Sequence, residues 1–478
     1  MAIASTIAAN RFGLGARPNE EIPADPKGWL KRQVNEFDPA PQELKSQPSR
    51  SEIAAEFREY QIDRKDRRDA MKQAAATQPA DTAFDPAQIE KVVNSLRVRY
   101  VAAADARLSA ALASDTSFAE RLVHFWSNHF AVSIDKLPVL GLGGDFEFNA
   151  IRPNIMGTFS QLLTAAVTHP AMLLYLDQAQ SIGPGSPLAQ RIAARRNKKL
   201  GLNENLAREI LELHTLGVRT VYDQNDVTEF ARALTGYTVG GMGKGPVQRL
   251  LIQSGNAGDT QFFAPIHEPG ERQVVGKRYR QQGEAQAKAI LADLAVHPAT
   301  ARHIATKLAA HFVADNPSEE LVARLEQAFL KSGGDLPAVY AALIDAPEAW
   351  LPQQAKFKSP WDWTVSALRA LNVRTLPGNE RQAVNMLAQM GQPIWRPGSP
   401  AGFADTSENW AGGAALMRRV EIAGRLAERS ANRVDARTLA PLILAGQLSP
   451  GTGESIARAE SPSQGLALFL LSPEFLRR

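Results

Sequence analysis

Along most of this chain apolar residues recur at intervals of three and four, on segments whose other positions are charged or alanine. This is the pattern of amphipathic helices. Two such segments, from Ser51 to about Ala75 and from Asp85 to about Ala113, flank "ATQPADTAFDP" and predict a helical-hairpin arm over 51–113. Its charge-dense stretch "REYQIDRKDRRD" reads as a solvated helix face. Start signals are well formed. Asp85-Pro86 and Ser359-Pro360 place a capping oxygen before a first-turn proline, while "SFAE" from Ser117 and "DVTE" from Asp226 have the spacing of capping boxes. Gly217, Gly236 and Gly391 stand where periodic runs stop.

Between Tyr237 and Tyr279 the helical period fails. Glycines crowd "GGMGKGP", and "QFFAPIHEPGERQVVGKRY" reads as two strands joined at Glu268-Pro269-Gly270-Glu271. Helices then resume to the last residues, broken by the loop "GQPIWRPGSPAGFADTSENW". The expected fold is mainly α, with residues 1–478 forming a large multi-helix domain that carries the helical-hairpin arm and a β-hairpin, Gly-rich insertion over 237–280.

Composition narrows the chemistry. A chain of 478 residues with 44% apolar content can bury a large core, and the absence of cysteine excludes disulfides, thiolate metal sites, iron–sulfur clusters and cysteine nucleophiles. Any metal must be held by His, Asp, Glu or Asn. The 54 Lys and Arg are interspersed with 50 Asp and Glu, so the high pI gives little support to a nucleic-acid partner, and none is expected. No window reaches the eighteen or so apolar residues of a membrane span, and "MAIASTIAANRFGLGARP" has neither a basic leader region nor a twin arginine. A soluble, cytoplasmic protein is expected.

The run "NENLAREILELHTLGV" concentrates three glutamates and a histidine. At about 100° per residue, Asn205, Arg208, Glu209 and Glu212 share one stripe, and His214 lies roughly 140° from Glu209 among Leu206, Ala207, Ile210 and Leu211. One ion therefore cannot take His214 together with Glu209 and Glu212. Glu209 and Glu212 are either an acid/base or ligand pair facing a cavity or a solvated stripe. Glu204 follows Asn203, a candidate N-cap, and suits a helix N-terminus as well as a site. In "ERLVHFWSNHFAVS", Glu120, Arg121, His124, Ser127 and Asn128 share one face and His129 lies on the other, as a core histidine or a tuned catalytic one. A third helix carries His303, Lys307 and His311, with the lysine's charge opposing a cation site. His267 sits just before the predicted hairpin turn. Trp395, Phe403 and Trp410 either offer a stacking platform or pin the long loop. Metallopeptidase, di-iron, nucleophile-elbow and phosphate-loop motifs are absent.

Taken in order, "NRFGLGARP", "HFWSNHFAVS", "NENLAREILELHTLGV", "DVTEFARALTGYTV", "IHEPGERQVVGKRY", "ARHIATKLAAHFVADNP", "GQPIWRPGSPAGF" and "LLSPEFLRR" resemble the bacterial family called domain of unknown function 1800 over nearly the whole chain. The resemblance implies a mostly helical unit with a small β element and brings no established activity. It also implies a setting, because many relatives are exported by folded-protein signals and encoded beside a sulfatase-like protein. This chain departs from that pattern in showing no such signal.

Two functions are expected from these readings. One is an enzyme, with metal-assisted hydrolysis as the first reaction class: His129, His214, Glu204 and His267 are the candidate ligands of a divalent metal ion, and Glu209, Glu212, Asn203 and Arg208 the candidate catalytic and positioning groups. The other is a non-catalytic binding or assembly protein, in which the same residues form a buried polar network and a protein partner, such as the sulfatase-like one, is engaged elsewhere.

Overall fold

The computed structural model describes residues 3–61, 86–196, 201–242, 257–374 and 381–478. Within them the chain is mainly helical, with two small antiparallel two-stranded sheets. The elements that build the candidate site are α1 (Pro86–Ala113), α2 (Ser117–His129), α3 (Asn205–Glu209, continuing as a π turn through His214), α4 (Gln224–Leu234), α5 (Pro298–Phe312) and α6 (Pro360–Ala370). The strands are β1 (Tyr237–Val239), β2 (Thr260–Phe262), β3 (Arg272–Val274) and β4 (Lys277–Tyr279). None of the described helices is long and apolar enough to cross a membrane.

Buried apolar side chains gather into two large clusters. One is built from α2 to α5 with the helices after α5, and the other from α1, α6 and the last helices of the chain. The N-terminal segment stitches them together, since Ile7, Ala8 and Phe12 belong to the first and Ala9, Leu14 and Ala16 to the second. Arg11 crosses the same seam, donating from Nη1 to the carbonyl of Ala349 at 2.7 Å. A helix at such a seam has no solvent side. This explains why α2, amphipathic by sequence, is buried on both its polar and its apolar faces.

Of the segment expected as an arm, the described residues cover the two ends. Glu56, on the helical segment 50–61, accepts from Arg99 Nε at 2.9 Å and Ser95 Oγ at 3.0 Å on α1. The connecting stretch, Asp85 included, lies outside the described residues. Most helix boundaries follow the sequence signals. Ser359 accepts from the amide of Asp362, and Gly217, Gly236 and Gly391 take φ of 92°, 105° and 87°. At α4 the capping box sits one turn earlier than "DVTE" suggests, with Asp223 as N-cap and Asp226 three residues on. At α2 Ser117 is inside the helix and makes no cap; Gln33, distant in sequence, accepts from the amide of Phe118 at 2.9 Å.

The strand pairing also differs from the expected hairpin. β2 pairs with β1, whereas β3 pairs with β4 through Val275-Gly276, both with positive φ (47° and 70°), as a two-residue I′ turn demands. A β-branched residue at positive φ is strained. Here Asp226, its carboxylate already in the α4 capping box, accepts from the amide of Val275 at 2.8 Å and holds the turn in place.

Candidate functional site

The seam opens into a cleft of about 230 Å³, lined from α2 by His124, Asn128 and His129, from α5 by Lys307 and His311, from the α6 end by Trp361 and Asp362, and by Trp395, Phe403 and Asp405 of the late loop. Asn128 clips that loop in place. Its Nδ2 donates to the carbonyl of Phe403 at 2.9 Å, and the amide of Phe403 returns a bond to Oδ1 at 2.7 Å. Gly402 permits the approach: it has φ of 82°, and a Cβ there would lie 2.4 Å from the carbonyl oxygen of Asn128. We expect Gly402→Ala to cost about 1–3 kcal/mol by combining backbone strain with displacement of the loop. Chemical denaturation would measure the cost, and a loss below about 0.5 kcal/mol would mean the clip yields freely.

The wall behind the cleft is a fully buried carboxylate. Glu147 accepts from Arg107 Nε through both oxygens (2.8 and 2.9 Å), from Ser127 Oγ at 2.6 Å and from Trp395 Nε1 at 2.8 Å. The guanidinium of Arg107 also stacks 4.1 Å from the ring centre of Trp361. The aromatic loop residues take different places. Trp395 and Phe403 wall the cleft, while Trp410 pins the loop by donating from Nε1 to the carbonyl of Ala404 at 2.8 Å.

Six of the eight histidines separate into three groups by what their nitrogens do; of the other two, His124 accepts on Nδ1 from Trp361 Nε1 at 2.9 Å and His267 lies elsewhere. His129 and His303 close the end of α3. Because a carbonyl only accepts, His129 Nε2 donates to His214 O (3.2 Å) and His303 Nε2 to Leu213 O (3.0 Å), while Thr215 Oγ1 takes Ile210 O (2.7 Å). These are the orphan carbonyls of a helix C-terminus, freed by the π turn and satisfied by side chains. His129 and His214 meet, with ring centres 5.9 Å apart, and His303 lies 6.1 Å from His129. Burial, then the Lys307 charge, lowers the pKa of His214 to about 3 and of His303 to about 4, so the cluster is neutral. The Nδ1 of His129 and both nitrogens of His214 have no partner among the described residues.

His169 and His297 form the second group, and each caps a helix. Their Nδ1 atoms accept from the amides of Ala171 and Ala299, in two "His-Pro-Ala" starts that stand in the sequence and went unread there.

His311 forms a third kind of site with Asp405. The two are joined Nδ1 to Oδ2 at 2.7 Å, and an ionised carboxylate only accepts, so the proton is on Nδ1 and Nε2 carries a bare lone pair. That Nε2 is buried and has no partner among the described residues. Burial holds the imidazole below its ordinary pKa, against the raising effect of Asp405, and so keeps it neutral. Burial pushes Asp405 upward, but His311 and Lys356 outweigh it and hold the carboxylate well below its usual range. Lys307, one turn before His311, has no hydrogen bond or ion pair among the described residues and also lines the cleft. Burial lowers its pKa to about 8, with Asp405 opposing.

The other sequence candidates lie elsewhere. Glu204 is locked to α4, accepting from Thr228 Oγ1 at 2.7 Å and Gln224 Nε2 at 2.9 Å, and pairs with Arg208 at 3.4 Å. Asn203 Oδ1 accepts from the amide of Asn205. Glu209 and Glu212 stay together, half-buried, and burial followed by the Glu212 charge raises the pKa of Glu209. His267 donates from Nδ1 to the carbonyl of Thr235 at 2.7 Å. Of the eight sequence candidates, the cleft takes in only His129. Among the described residues no three His, Asp or Glu side chains converge as a metal site.

A family model described as "Protein of unknown function (DUF1800)" matches residues 7–477. The chain belongs to that family. No curated protein and no solved structure matches it. For this DUF1800 protein the chemistry must be argued from the cleft itself. Sequence reasoning flagged α5 and then set it aside because Lys307 argues against a cation. The available signal was the i, i+4 spacing of Lys307 and His311, which puts an amine and an imidazole on one stripe.

Proposed function

We propose that this protein is an enzyme working by general acid–base chemistry on a small molecule held in the seam cleft, with His311 as the base. The observation that carries the reading is the bare Nε2 of His311, fixed in its tautomer by Asp405 in a cleft walled by Trp361, Trp395 and Phe403. A base that is neutral near pH 7 and oriented by a carboxylate is suited to take a proton from water or from a substrate carbon. Lys307, one turn earlier on α5 and also lining the cleft, supplies positive charge to it, where negative charge would develop. Hydrolysis is the simplest reaction of this class, with water attacking as His311 takes its proton. The cleft's modest volume fits a molecule of about one ring in size and excludes a folded polymer.

A second reading is favoured by the α3 cluster. His129 and His303 spend their N–H groups on carbonyls, as a structural network would, and a binding protein built on such a network needs no base. Turnover separates the two. In a screen of chromogenic esters, amides and lactones, we expect His311→Gln to cut turnover by 10²-fold or more while its melting temperature stays within a few degrees of the parent. A parent protein no faster than His311→Gln on every substrate would remove the base and favour the binding protein.

A further inference from the structure

Lys307 sits in the cleft as an amine with nothing to hold it. Its nitrogen has no hydrogen bond or ion pair among the described residues, although the cleft contains a carboxylate, Asp405, that already serves His311 and lies 3.6 Å from Lys356. Another buried lysine near Asp405 finds a carboxylate instead. Lys356, 1% exposed, does so by reaching Asp315 at 2.7 Å. The surroundings of Lys307 disfavour its ammonium form. Burial is what lowers its pKa, with Asp405 opposing, and aromatic side chains wall the cleft. The result is a pKa of about 8, so at pH 7.5 Lys307 has roughly two hundredfold more free amine than an ordinary lysine.

We propose that Lys307 captures a small aldehyde or ketone as a covalent imine, with His311 moving the protons; the proposal rests on the reading of the cleft as an active site. The Nζ lone pair forms a bond to the carbonyl carbon while the C=O π pair moves to oxygen. His311 Nε2, on the next turn of α5, takes a proton from nitrogen and returns it to that oxygen. His311 then carries the second proton of the nitrogen to the same oxygen, the C–O bond breaks to release water as the nitrogen pair closes the C=N bond, and nothing is oxidised or reduced. Trp361, Trp395 and Phe403 offer apolar faces to the body of such a carbonyl compound, and the cleft volume limits it to about the size of one ring.

The test is reductive trapping of the full chain at pH 7.5 with cyanoborohydride, using benzaldehyde and pyruvate as separate probes, followed by peptide mass spectrometry. We expect one of the probes to modify Lys307 at least tenfold faster than any other lysine, with that adduct absent from Lys307→Met. Adducts spread over exposed lysines, with Lys307 unmodified by either probe, would overturn the proposal. The His311→Gln variant distinguishes failure here from failure of the base reading. If turnover depends on His311 while Lys307 stays unmodified, the base stands and the imine falls. If Lys307 is trapped at an unchanged rate in His311→Gln, the imine stands and the base role falls.

Discussion

Glu147→Ala should lower the unfolding free energy by about 3–5 kcal/mol, the cost of leaving a buried ion-pair partner uncompensated. Glu147 is fully buried and serves three elements at once: Arg107 on α1, Ser127 on α2 and Trp395 in the late loop. Removing its carboxylate strands a guanidinium that is itself 9% exposed and deprives two further donors of an acceptor. Should the alanine variant fail to fold, Glu147→Gln and the double change Arg107→Met, Glu147→Leu keep the idea testable. Gln retains one acceptor oxygen and should lose less. The double variant removes both charges and should be more stable than Glu147→Ala, because apolar replacement of a whole buried pair is far cheaper than breaking it. Urea denaturation of the three proteins gives the order. A double variant as unstable as the alanine would mean that the Trp395 and Ser127 bonds, and not the ion pair, dominate.

That prediction draws on contacts of a kind the sequence discloses poorly. What is encoded within one or two turns was legible: the proline starts, the glycine stops, the helical period and the division of α2 into two faces. Each depends on neighbours three or four positions away. Errors appear where two local solutions compete or where the partner is remote. At α4, Asp223 and Asp226 are both capable caps, and the earlier one is the N-cap while Asp226 also serves the amide of Val275, 49 positions away in sequence. At α2, the cap expected of Ser117 comes from Gln33, 85 positions away. The β pairing went elsewhere because a valine occupies the left-handed position that turn rules reserve for Gly or Asn.

The site follows the same division. A wheel orders His303, Lys307 and His311 on one helix but cannot say that His303 will find the end of α3 while His311 finds Asp405, 94 residues on in a loop without periodicity. Nor could it say that His129 meets His214, which depends on how α2 packs against the π turn. The α3 glutamates attracted attention because carboxylates cluster there. In the structure that cluster is partly consumed by ordinary helix packing, with Glu204 tied to Gln224 and Thr228 on α4. Polar density along the sequence and convergence in space are different quantities, and the cleft is made by the second.

Lys307→Met should make the protein more stable below pH 8, even as it removes the amine on which the imine chemistry depends. The folded protein holds this lysine at a pKa of about 8, against 10.5 for an ordinary lysine. Below pH 8 both folded and unfolded chains carry the proton, and folding bears the full cost of placing an ammonium in the cleft, an upper bound of about 3 kcal/mol for a shift of this size. Between pH 8 and 10.5 the folded state has released the proton and the unfolded state has not, so parent stability climbs with pH and the penalty fades. Above 10.5 it is gone. Because Lys307 is only partly covered along its length, solvent at the cleft mouth reduces the expected gain to about 1–2 kcal/mol at pH 7. Methionine keeps the unbranched stem, so packing is little changed. Thermal or urea unfolding of parent and variant from pH 6.5 to 10.5 should show curves that lie apart at the acid end and converge at the basic end. Equal stabilities throughout would mean that Lys307 is solvated in the folded state. A parent that is the more stable at pH 7 would mean its ammonium has a partner, and the argument that the fold keeps an unsatisfied amine for chemistry would fail with it.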